Sequence, residues 1–179
     1  MVRVALFATL TAVGAYIVLP LPFTPVPFTL QLFFAILSPL VLGARYGALS
    51  QIVYLALGVV GIPVFAGGTS GLGVLLGPTG GFLVGFVVGA YVVGKLHNAL
   101  DGRVGSIAQG VVAGMGGLIA IHGLGAFWLA SATEIEFGRA LALGCLPYIV
   151  PDSIKCAAAI MVADALRRRF PRISPIPLG

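Results

Sequence analysis

The sequence predicts an all-α integral membrane protein: one domain over residues 1–179, six transmembrane helices, and outward-facing capping loops. Three observations predict it. Apolar residues make up 59% of the chain and charged residues 8%, against ~45–50% and ~25% in soluble domains. The apolar residues come in long runs rather than alternating ten-residue segments, which selects helices over a barrel, because backbone groups in lipid must be bonded internally. At roughly 20 residues per crossing of about 30 Å, the chain holds about six spans and no second soluble domain.

Taken in order, the spans fall near 4–19, 30–43, 46–61, 80–97, 106–130 and 152–168. Pro20-Leu21-Pro22 stops the first. The loop 20–29 carries four prolines, each fixing φ and removing a donor, so it is ordered or semi-rigid. Gly43-Ala44-Arg45 is a tight turn, and 62–79 reads as a long glycine-rich loop with Phe65 as its aromatic member. A short apolar piece near 137–146 reads as a partial, loop-borne helix. Arg3, the apolar run behind it and Val13-Gly14-Ala15 also fit a cleaved signal peptide, which would leave five spans.

Charge sets the orientation. Arg3, Arg45, Lys95, Arg103, Arg167, Arg168, Arg169 and Arg172 fall on one side of this arrangement and only Arg139 on the other, with Lys155 inside the last span. The positive-inside rule then puts both termini in the cytoplasm of a multi-pass cell-membrane protein, with loops 20–29, 62–79 and 131–151 outside. The net charge of +5 does not signal nucleic acid, because the cations sit at span ends rather than in a stripe on a soluble face.

Several motifs carry packing rather than chemistry. Gly81, Gly85 and Gly89, then Gly110 and Gly114, place small residues on one helical face, where another backbone can approach closely. Ala8 and Ala12 repeat the spacing on the first span, open to bundle packing or to a partner's helix. Gly71-x-Gly73 precedes Val74-Leu75-Leu76 with no G-K-[ST], so no phosphate cradle is read there. Ser70 lacks a G-x-S-x-G setting. Cys145 and Cys156 have neither metal-ligand spacing nor a C-x-x-C pattern, and no metal or cofactor is expected. His122 reads as a hydrogen-bonded packing residue, and His97 as facing headgroups.

Asp152 and Lys155 resist that treatment. An ionisable residue inside a span is a functional-site hypothesis by default, the structural alternative being a pair that only fixes helix packing. Pro151 suits the first helical position, and Asp152 behind it meets the positive end of the helix dipole. Lys155 shares its face at i+3. The dipole disfavours a cation there, so Lys155 needs an anionic partner, either Asp152 alone or Asp152 shared with a ligand. An intramembrane enzyme is disfavoured: there is no second acid, no G-x-G-D tract and no metal motif.

Ile62-Pro63-Val64-Phe65-Ala66-Gly67-Gly68, Gly77-Pro78-Thr79-Gly80-Gly81-Phe82 and Pro147-Tyr148-Ile149-Val150-Pro151-Asp152-Ser153-Ile154-Lys155, in that order, resemble the BioY family over essentially the whole chain. Those are the biotin-specific substrate-binding subunits of energy-coupling-factor (ECF) transporters. The resemblance implies that the chain binds biotin from outside and meets a transmembrane coupling subunit through Ala8 and Ala12. That subunit joins two cytoplasmic ATPases, and a chain without a Walker motif must borrow their energy. Asp152, Lys155, Phe65, Gly68, Ser70, Tyr148 and Gln31 become the expected ligand-binding residues, with loop 20–29 as a lid. Which end of biotin meets Asp152 and which meets Lys155 stays open. So does a self-sufficient oligomeric transporter that needs no ATPase module.

Overall fold

The computed structural model describes residues 1–169, and Arg172, counted with the cationic set, lies outside them. Among the described residues, eight α-helices carry the fold: α1 Val2–Tyr16, α2 Gln31–Leu42, α3 Ala44–Val59, α4 Leu72–Leu76, α5 Gly80–Ala99, α6 Ser106–Thr133, α7 Phe137–Gly144 and α8 Ile149–Arg169. Two-residue strands β1 Val18–Leu19 and β2 Phe28–Thr29 pair antiparallel. The chain is mostly helical, and α5 and α6 are long and apolar enough to cross a membrane, while α1 and α2 are shorter apolar helices.

Three sequence expectations shift. The first helix stops at Tyr16 rather than near 19, because Leu19 precedes Pro20 and is pushed toward extended backbone. Val18 and Leu19 then pair with Thr29 and Phe28, a ribbon too short to show a two-residue period in the sequence. The 62–79 segment is not continuous loop: a 3₁₀ turn covers Ala66–Gly68, and α4 follows. α8 starts at Ile149, so Pro151 is the third helical residue rather than the first. Proline is accepted there because the first four N–H groups of a helix have no partner inside it.

α2 is the hub of the bundle, touching α1, α3, α5 and α8, and it is short. Its 12 residues rise only about 18 Å, well under the ~30 Å of a bilayer core. That shortfall leaves room above its N-terminus, which the proline loop covers. At its other end Gly43 takes φ 83°, a conformation that costs glycine nothing, and the chain reverses directly into α3.

The glycine stripes are internal packing faces. A Cβ on Gly81 would lie 2.2 Å from Trp128 Cβ, and one on Gly89 would lie 2.6 Å from Ile121 Cγ1, so α5 presses backbone-close onto α6. Gly110 and Gly114 do the same toward Ile160 and Cys156 of α8. Ala8 and Ala12 are 1% and 8% exposed, turned into the chain's own bundle, where α1 packs on α2 and α3. The open side of α1 is instead Leu6, Thr9 and Val13.

The two ends of the bundle differ in chemistry. At one, Arg167 donates to the Leu40 carbonyl and sits 2.8 Å from His97 Nε2, while Ser106 donates to Asp164 at 2.6 Å. The last turns of α2, α5 and α8 and the first turn of α6 meet there. His97 is therefore buried and bonded, with Gln109 donating to its carbonyl at 2.5 Å, rather than turned to headgroups. Arg45, Lys95 and Arg103 belong to the same end by their places on α3, α5 and the α5–α6 turn. The opposite end holds a cavity.

A candidate ligand cavity beneath the proline loop

The cavity lies beneath the proline loop and is open on one side. Its wall is mainly apolar, with Val26, Leu32, Val74, Phe82, Phe86 and Ile121 contributing, and its charged pair, Asp152 and Lys155, lies on α8. Elements far apart in sequence meet here: the proline loop, the start of α2, the 3₁₀ turn, the N-terminal halves of α5 and α8, and the middle of α6.

Asp152 and Lys155 come first from the sequence. One helical turn brings Lys155 Nζ to 2.8 Å from Asp152 Oδ1, and both residues are buried, at 8% and 4% exposed. An isolated charge in an apolar interior is costly, so each needs the other to stay charged. The ammonium also lies 3.6 Å from the centre of the Phe28 ring, a cation–π contact that ties the pair to the proline loop.

Tyr148 sits in the 3₁₀ turn ahead of α8, and its hydroxyl donates to the Val26 carbonyl. This joins the loop to α8 a second time. Within the loop the Val26 N–H donates to Thr24 Oγ1 at 3.2 Å, and the β1–β2 ribbon pins its two ends. The proline loop is thus fixed by its own turn, by its ribbon and by α8.

Gln31 lines the floor with its amide engaged on both sides: Thr29 Oγ1 donates to Oε1 at 2.8 Å, and Nε2 donates to the Tyr54 hydroxyl. Phe65 is fully buried, edge-on to Tyr54 with ring centres 5.7 Å apart. It fits because Gly58 of α3 carries no side chain; a Cβ there would lie 2.1 Å from the ring.

Of the seven expected ligand residues, five converge on this cavity: Gln31, Phe65, Tyr148, Asp152 and Lys155. Gly68 and Ser70 are not part of its lining. Gly68 shapes the turn instead, with φ 79° and the Tyr16 ring 3.3 Å from where a Cβ would be. Ser70 is half-buried one turn further on.

His122 is the wall residue that sequence reasoning passed over. Its Nε2 is 3.1 Å from Asp152 Oδ2, and its ring stands edge-on to Phe82 at 6.3 Å. A signal was present: two further steps of four from Gly110 and Gly114 reach residue 122, on the face of α6 that meets α8. Phe28 and Thr29 were missed as well, hidden inside what reads as a loop.

A profile of the BioY family matches residues 1–172. The chain belongs to the BioY family. It is 43% identical over 164 residues to the probable biotin transporter BioY of Pyrococcus horikoshii, covering 92% of this chain and 93% of that protein. The biotin transporter BioY of Thermotoga maritima is 40% identical over 168 residues, covering 94% and 95%. The crystal structure of the S-component for biotin from an ECF-type ABC transporter matches with TM-score 0.85 and 26% identity, over 93% of this chain and 89% of that one. BioY membership agrees with the apolar helices of this chain, and its relatives and the matching solved structure are named as transport proteins.

Proposed function

We propose that the chain is a biotin-binding S-component that takes up biotin across the cell membrane, with α1, α2, α3, α5, α6 and α8 as its six membrane segments and the short α2 completed across the bilayer by the proline loop. The observation that carries this reading is the buried Asp152–Lys155 pair facing an apolar cavity under a latched loop, in a chain of the BioY family. The cation-rich end lies in the cytoplasm, with both termini, and the cavity opens outward.

The ligand's chemistry matches the wall. A urea carries N–H and C=O groups on neighbouring atoms, and Asp152 Oδ1 and Lys155 Nζ offer an acceptor and a donor 2.8 Å apart. Asp152 accepts from a ureido N–H, and Lys155, which still has donors beyond the one given to Asp152, donates to the ureido carbonyl. Phe82, Phe86 and Ile121 receive the thioether ring and aliphatic chain. A nanomolar complex corresponds to about −12 kcal/mol, which demands a dry site with its polar groups paired.

The proline loop acts as the lid, and Tyr148 holds it. Tyr148→Phe keeps the ring and loses one hydrogen bond of ~1 kcal/mol. Biotin release is expected to speed up about five-fold with association little changed, read by stopped-flow exchange of labelled biotin.

Loading from outside leaves the energy for inward release to partners, a transmembrane coupling subunit and two ATPase subunits. Uptake of labelled biotin by a biotin-auxotrophic host is expected only when those subunits are co-expressed. Full uptake by this chain alone would contradict the subunit reading and favour a self-sufficient transporter.

A further inference from the structure

His122 is left without a task by the binding scheme above, although it stands on the cavity wall. Its Nε2 pairs with Asp152 Oδ2 at 3.1 Å, and its Nδ1 has no hydrogen-bond partner among the described residues. The residue is held from two sides, by the Phe82 ring edge and by Cys145 Sγ, which donates to the His122 carbonyl at 3.5 Å. Lys155 meanwhile grips the other carboxylate oxygen, Oδ1, at 2.8 Å.

This arrangement has a geometric consequence. The terminal torsion of an aspartate is broad, so a carboxylate gripped at one oxygen swings about its last carbon–carbon bond. Gripped at both, its plane is set. Of its four lone-pair sites two are then occupied, and the free one on each oxygen points in a fixed direction. Lys155 alone, on one oxygen, cannot do this.

We propose that His122 is a positioning residue which fixes the plane of the Asp152 carboxylate and thereby sets the site's preference for a ligand with urea N–H donors. The inference rests on the biotin reading and deepens it: Asp152 supplies the acceptor, and His122 aims it. A site aimed at N–H donors rejects an analogue that lacks them far more strongly than one whose acceptor swings freely.

The test compares biotin with biotin methylated at its ureido nitrogens, in equilibrium binding to purified wild type, His122→Leu and His122→Gln. His122→Leu is expected to weaken biotin about ten-fold, the equivalent of one hydrogen bond of ~1.4 kcal/mol, and to leave the methylated ligand unchanged. The preference ratio therefore shrinks about ten-fold. His122→Gln, which retains an N–H donor, is expected to return the ratio to within about three-fold of wild type. Should the leucine variant not fold, His122→Ala is read in the same way. Equal loss for both ligands, or an unchanged ratio, overturns the positioning role while leaving biotin binding in place. Failure of wild type to bind biotin overturns the biotin reading, and this inference with it.

Discussion

Asp152→Asn is expected to raise the dissociation constant for biotin by at least about 100-fold. The carboxylate is gripped by Lys155 at 2.8 Å and faced by His122 at 3.1 Å. Removing one partner of a buried pair costs ~3–5 kcal/mol, because the remaining charge is left uncompensated. That is a factor of about 10² to several times 10³ in an equilibrium constant. Part of the cost falls on the fold, and a second variant separates the two. Asp152→Asn combined with Lys155→Met removes both charges, and apolar replacement of a whole buried pair is often neutral for stability. Thermal unfolding in detergent should therefore recover in the double variant while biotin binding stays lost. Wild-type affinity in Asp152→Asn, or recovery of binding in the double variant, would contradict the assignment.

The second large effect concerns the scaffold. Gly81→Ala places a methyl 2.2 Å from Trp128 Cβ and 2.7 Å from the Leu124 carbonyl oxygen, and neither is the free end of a flexible side chain. α5 must move away from α6, and with it Phe82, whose ring forms part of the cavity wall. Overpacking of a tight contact costs ~1–3 kcal/mol, and the melting temperature in detergent should fall by several degrees, about 2–4 °C per kcal/mol at this chain length. Gly123→Ala on the facing helix is the control, since nothing lies within 4 Å of its added methyl. It should melt with the wild type. Equal melting of all three proteins would refute the close-packed α5–α6 contact.

How much of this was legible follows from the physics of each element. The six main helices were readable to within a few residues because continuous apolar runs and proline stops report directly on what lipid and backbone sterics allow. α4 was not, since Leu72-Gly73-Val74-Leu75-Leu76 is too short for helical periodicity and contains a glycine. The β1–β2 ribbon was invisible for the same reason. Asp152 and Lys155 stood out because charge is scarce in this chain. His122 did not, since a single histidine in a span carries no motif and its significance comes from the packing of α6 on α8. Gly68 and Ser70 were expected on the wall with Phe65, but Phe65 is buried inward at the 3₁₀ turn 66–68 while Gly68 and Ser70 lie off the cavity wall. Ala8 and Ala12 were legible as a small-residue helix face, and both lie buried where α1 packs on α2 and α3.

The central claim is that the space between the proline loop and α8 is a biotin site built on Asp152 and Lys155. Calorimetric titration of biotin into the purified chain in detergent, with desthiobiotin and lipoate as competitors, tests it most directly. The account predicts one saturable site per chain, tight for biotin, weaker for desthiobiotin, which keeps the urea but loses the thioether ring, and undetectable for lipoate, which has no urea. No saturable binding of biotin, or displacement by lipoate as effective as by desthiobiotin, would contradict it.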